Sequence, residues 1–155
     1  KGFSNEPTPK LKELGEDFYL MELFHGPTKS FKDYALQVLG VLVDKQLGNI
    51  GRKGIALVAT SGDTGSAAIY GVKDSDNIEI VVLHPYKKIS EYQRRQMTTI
   101  ESANVINFAI KGDYDDCQKL VKNLLSEKID DKEFSINQIF NGNIICILNL
   151  DYPIS

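Results

Sequence analysis

Ile55-Ala56-Leu57-Val58-Ala59-Thr60-Ser61-Gly62-Asp63-Thr64-Gly65-Ser66-Ala67-Ala68 decides how the chain folds. Its first five residues are continuously apolar, the pattern of a strand covered on both faces. Ser61 to Gly65 is a loop of small residues, and Ser66 to Val72 reads as a helix entered directly from it. Backbone N–H groups at such a strand-to-helix turn make an anion site, and glycines let the anion approach the main chain. A tight turn alone would also account for the glycines. A nucleotide-binding P-loop is a poor match, because it wants a Lys directly after its last glycine and Ser66 follows Gly65.

The same alternation continues outward. Ile78 to Leu83 is a third strand, broken by His84-Pro85, and Ser90 to about Thr98 is a polar helix. Val105 to Ile110 is a fourth strand, followed by Gly112. Asp113 can cap a helix carrying Cys117, Leu120, Val121, Leu124 and Leu125 on one face. Upstream, Phe18 to Phe24 reads as the first strand. From about Ser30 to Leu47 a helix places Phe31, Ala35, Val38, Leu39 and Leu42 on one face, with Gly48 as its C-cap. Strands alternating with helices predict an α/β fold: a mostly parallel open sheet, helices on both faces, right-handed crossovers.

The totals exclude several classes. The chain has 155 residues, enough for one domain with a core. Its 42% hydrophobic and 25% charged residues are ordinary for a globular protein. A net charge of −3 with both signs interspersed predicts no nucleic-acid partner, and no apolar run reaches membrane-span length. The longest such run is Ile144-Ile145-Cys146-Ile147-Leu148, which is strand-sized. The two cysteines, Cys117 and Cys146, suggest neither a disulfide framework nor a metal site. Lys1 to Pro7 lacks a signal-peptide core, and no Met stands at residue 1. Residues 1–17 read as a polar lead-in, 18–126 as the α/β domain, and 127–155 as a segment of different character.

A second stretch carries chemistry: Glu22-Leu23-Phe24-His25-Gly26-Pro27-Thr28-Lys29-Ser30-Phe31-Lys32-Asp33. Gly26-Pro27 breaks the strand, and Thr28 or Ser30 can cap the helix that follows. Lys32 falls in the first turn, against the partial positive charge of a helix N-terminus, a poor structural position for an ammonium. Lys29 and Lys45 read as ordinary solvated lysines. His25 and His84 read as hydrogen-bonded structural residues. Arg94 and Arg95 read as a solvated helix face.

Together, Leu23 to Asp33, Thr60 to Ala68 and Ile89 to Thr99 resemble the threonine synthase family. That family belongs to the pyridoxal-phosphate enzymes built like tryptophan synthase β, and this chain would hold part of such a fold. The resemblance spans about Phe18 to Ser126 and fades beyond. It implies that Lys32 holds pyridoxal 5'-phosphate through a Schiff base and is the catalytic lysine. It places Asp63 near the cofactor ring oxygen, where relatives carry Asn. It assigns Ser61, Gly62, Thr64 and Gly65 to the carboxylate of the amino-acid substrate. The implied substrate is O-phospho-L-homoserine and the implied location cytoplasmic. The family's second half supplies the loop for the cofactor phosphate and the partner of the pyridine nitrogen. Neither is visible after Ser126, so the chain is expected to be an incomplete piece, inactive by itself. A phospho-lyase of the same family, or a non-catalytic binding module, are the alternatives.

Overall fold

The computed structural model of the protein describes residues 9–126, 134–140 and 145–150. In chain order the elements are β1 (Lys10–Gly15), β2 (Phe18–Glu22), α1 (Lys32–Asn49), β3 (Lys53–Ala59), α2 (Asp63–Val72), β4 (Ile78–Pro85), α3 (Glu91–Thr98), β5 (Val105–Ile110), α4 (Tyr114–Ser126), β6 (Phe134–Phe140) and β7 (Ile145–Leu150). Strands β3, β4 and β5 are parallel, with Ala56 beside Ile80 and Ile80 beside Val105. On the other flank β7 pairs antiparallel with β3, and β6 antiparallel with β7. The order β5-β4-β3-β7-β6 leaves the sheet open, as the alternating sequence predicts.

The period-two pleat divides the core between the two sheet faces. Ala56, Val58, Ile78, Ile80 and Val82 pack under α1, α2 and α3 with Ile69 and Met97. Leu57, Ala59 and Leu83 face α4, where Cys117 and Val121 are fully buried. Burial raises the Cys117 thiol above its ordinary pKa, as for a thiol used as a small core hydrophobe. Helices α1 and α2 approach through glycines: a side chain at Gly40 would overlap the Gly71 carbonyl, and one at Gly71 would overlap that of Leu36.

Several expectations are corrected. Lys10–Gly15, within the stretch read as polar lead-in, is a strand that pairs antiparallel with β2 as a separate ribbon. Residues 1–8 of the lead-in and the charged run 130–133 lie outside the described residues. His84-Pro85 does not break β4. Both residues stay in register with Ala109 and Ile110, because Pro at the last position of a strand gives up little of the ladder. Helix α1 ends at Asn49 with Ile50 as C-cap, one residue-pair beyond Gly48. Its apolar face is also rotated from the expected one. Phe31, Ala35, Val38 and Leu42 are exposed, while Asp33, Gly40 and Leu47 are buried and Leu36 and Val43 pack on the core. The helix is apolar on two sides, so periodicity alone picked the wrong one. On α4, likewise, Leu120 and Leu124 are exposed beside buried Cys117 and Val121.

Candidate active site

Helix α1 is oriented by its far end. The Asn77 N–H donates to Asp44 Oδ1 at 3.0 Å and its amide donates to the Asp44 carbonyl at 3.3 Å. Asn77 also accepts from the Gly54 N–H at 2.8 Å, so it marks the edge where β3 and β4 begin. An 18-residue helix is about 27 Å long. Its N-terminus, with Lys32, therefore lies toward the opposite edge, where β3 delivers Thr60.

The turn before Lys32 is built on Asp33. This fully buried carboxylate accepts from the Thr28 N–H at 2.9 Å and from Thr28 Oγ1 at 2.6 Å. Gly26 has no side chain because the Asp33 side chain fills that space. Lys29 turns the loop with φ +64°. Neither Thr28 nor Ser30 is the N-cap. That position is Phe31, with no side-chain cap, while Ser30 Oγ accepts from the Lys32 N–H at 3.3 Å. Thr28 instead donates both its N–H and its hydroxyl to Asp33. Lys32 is half-buried, with its ammonium 4.5 Å from the centre of the Phe31 ring. Among the described residues it pairs with no carboxylate. His25 is hydrogen-bonded to Glu22 at 2.8 Å, the structural role expected of it.

The second loop is organised by Thr60, which sequence reasoning passed over. Its fully buried Oγ1 accepts from the N–H of Gly62 at 2.9 Å and of Gly65 at 2.8 Å. The N–H groups of Ser61, Asp63 and Thr64 have no acceptor among the described residues. The donors left for an anion are therefore those three. Gly62 sits at φ +134°, where any other residue is strained, and Gly65 packs against Thr60 and the Met97 sulfur. Ser61 and Asp63 are exposed at the loop's surface.

Helix α3 joins the two loops. Gln96 Nε2 donates to the Thr28 carbonyl at 2.9 Å, and Gln93 Nε2 donates to Asp63 Oδ1 at 2.8 Å. Residues three apart share a helix face. The Lys32 turn and the Asp63 turn thus flank one turn of α3. Ser90 starts this helix with a capping box to Gln93. Arg94 and Arg95 face solvent and pair with Glu91 at 2.6 and 2.9 Å. Asn107 closes the other end, donating to the Met97 carbonyl at 3.2 Å. The glutamines were legible only as members of a polar helix; their three-residue spacing was the available signal.

The arrangement gives a primary amine without an anionic partner, three free N–H donors at a helix start, and a carboxylate on the same loop as those donors. Over residues 4–149 the sequence matches the family described as pyridoxal-phosphate dependent enzyme. The chain belongs to that family. It is 50% identical to the threonine synthase of Pseudomonas aeruginosa over 120 residues, covering 77% of this chain and 26% of that protein. It is 37% identical to the threonine synthase of Saccharomyces cerevisiae over 156 residues, covering 94% of this chain and 30% of that one. Among solved structures, pyridoxal-phosphate-bound threonine synthase from Brucella melitensis superposes with a TM-score of 0.79 at 39% identity, covering 82% of this chain and 27% of that chain. Yeast threonine synthase gives 0.67 at 42% identity, over 71% and 23%. The chain thus spans about a quarter to a third of the length of these relatives. The residues present fit the family's cofactor: Lys32 offers an amine of the kind its aldehyde would need, and the free N–H groups would suit an anionic substrate beside it. Among the described residues no cluster suits a metal ion, and no helix is long and apolar enough to cross a membrane.

Proposed function

We propose that this chain carries the amine-bearing part of a threonine synthase site, which converts O-phospho-L-homoserine and water to L-threonine and phosphate. Bound pyridoxal phosphate supplies an electron sink that stabilises negative charge on the substrate as protons leave Cα and Cβ. Lys32 holds the cofactor through its amine. With the cofactor bound, that amine would be free to carry protons at Cα and Cβ and to deliver one to Cγ, which ends as the methyl group. Ser61, Gly62, Thr64 and Gly65 form the loop that seats the substrate carboxylate, with the free N–H groups of Ser61, Asp63 and Thr64 as donors and Gly62 and Gly65 shaping the turn through Thr60. Asp63 would stand beside the cofactor ring oxygen. Phosphate leaves from Cγ and the water oxygen adds at Cβ, so one C–O bond breaks and one forms. A cytoplasmic setting belongs to the same proposal.

The observation that carries this reading is the pair of α3 glutamines, which hold the Lys32 turn and the Asp63 turn against one helix face. The test is borohydride reduction with pyridoxal phosphate, mapping of the labelled lysine, and an assay of phosphate release in the natural-length protein. Label is expected on Lys32, and Lys32→Ala is expected to abolish both label and release. Lys32→Arg is expected to fail as well, because a guanidinium stays protonated and forms no imine. The 155-residue chain alone is expected to release no phosphate. Label spread evenly over Lys29, Lys32 and Lys45 in the natural-length protein overturns the reading.

A further inference from the structure

Gln93 is locked at both ends. Its Oε1 accepts from Ser90 Oγ at 2.9 Å and from the Ser90 N–H at 3.3 Å. Its Nε2 must therefore face away, where it donates to Asp63 Oδ1 at 2.8 Å. Turning the amide over would set its carbonyl against a carboxylate and lose the Ser90 bonds. Gln93 also fills the space that a side chain on Gly62 would need. Asp63 is exposed, with Oδ1 committed to Gln93 and Oδ2 without a partner among the described residues. The loop thus offers N–H donors from Ser61, Asp63 and Thr64 beside one charged acceptor.

We propose that Gln93 is a positioning residue that aims the second carboxylate oxygen of Asp63 at the amino group of an α-amino acid whose carboxylate sits on those N–H groups. The inference rests on the proposed function and deepens it. An α-amino acid carries an anion and a cationic donor on one carbon, which is the complement of this loop. The role would be compatible with a cofactor contact of Asp63, since the cofactor's aldehyde and its ring oxygen are carried on adjacent ring carbons.

Changing donor and acceptor in turn tests it. Binding of O-phospho-L-homoserine and of its counterpart lacking the amino group is measured by calorimetry in the natural-length protein carrying Lys32→Ala and freed of pyridoxal phosphate, so that the amino group meets no aldehyde and no covalent step intervenes. The amino compound is expected to bind at least about tenfold tighter. With Asp63→Asn, Gln93 still donates to the side-chain oxygen. The new NH₂ then points outward, and the preference is expected to vanish. Adding Gln93→Glu gives that NH₂ an acceptor and turns the carbonyl outward, so the preference is expected to return in part. Melting temperatures confirm that each variant folds. Equal preferences for Asp63→Asn with and without Gln93→Glu overturn the proposal, as does binding of neither compound. Absence of Lys32 labelling in the unmodified protein overturns the proposed function instead.

Discussion

The ribbon β1–β2 and the pair β3–β4 are both strand pairs, yet they bury different things. Val58, Ala59 and Val82 are inaccessible to solvent, covered by helices on both faces. Phe18 at 66%, Tyr19, Leu20 and Met21 are all exposed, although they lie on alternate sides of the ribbon. The outer face of α1 resembles the ribbon, with Phe31, Val38, Val41 and Leu42 open. An apolar residue states that a surface favours burial but not what covers it. The β3–β4 pair finds its cover within the described residues. The ribbon and the outer face of α1 each expose several large apolar side chains, more than isolated exposed residues would explain.

The largest way to break this contrast is at the α1–α2 seam. Gly40→Val places a branched side chain into the Gly71 backbone, which cannot yield as a side chain would. Loss of about 3 kcal/mol or more is expected, read as a fall in the denaturation midpoint, with α1 amides losing hydrogen-exchange protection. Next comes a paired truncation. Ile69→Ala, in the core, is expected to cost about 2–5 kcal/mol. Leu20→Ser, on the ribbon, is expected to change stability by no more than about 0.5 kcal/mol. Equal losses would show that the ribbon is not the open region described.

Asp33→Ala leaves both buried donors of Thr28 unpaired and is expected to cost about 1.5–3 kcal/mol in chemical denaturation. The smallest effect belongs to the α3 surface. Arg94, seconded by Arg95, draws the Glu91 carboxyl from the usual 4.5 down to about 2. The folded value lies below the unfolded one, so the stabilisation is present above pH 4.5 and disappears as pH falls through about 2. Being fully exposed, it is small and screened by salt. A slight drop in Tm for Glu91→Gln at neutral pH and low salt, vanishing by the acid end of that window, checks it.

Much of the fold was legible because its strands are of the kind that need no partner to be recognised. Strongly apolar runs bounded by glycine and polar turns marked β3, β4 and β5, interrupted only by Glu79 in β4 and Asn107 in β5, and Ser90 and Asp113 stand at the helix starts they suggest. β1 was missed because Lys10-Leu11-Lys12-Glu13-Leu14-Gly15 is dominated by charge and forms one side of an exposed ribbon, with little apolar signal to show. The α1 face was misread because burial there is decided by what α2 offers at Gly71, a feature of another segment. At the candidate site, lysine and glycines were legible as motifs. Gln93 and Gln96 were not, because their roles exist only as long-range hydrogen bonds, Gln96 reaching a carbonyl 68 residues away, and Thr60 was not, because its two local bonds exist only once the loop has turned back on it.

The contact between Gly40 and Gly71 has a mechanical meaning. Where two helices meet through side chains, they can slide by rotamer changes at modest cost. Here backbone rests against backbone, and there is nothing soft between them to shear. Displacing the front of α2 drags α1 with it, so the lysine and the loop before α2 travel as a single stiff part. Any closure around a bound molecule must come from surfaces moving toward this part.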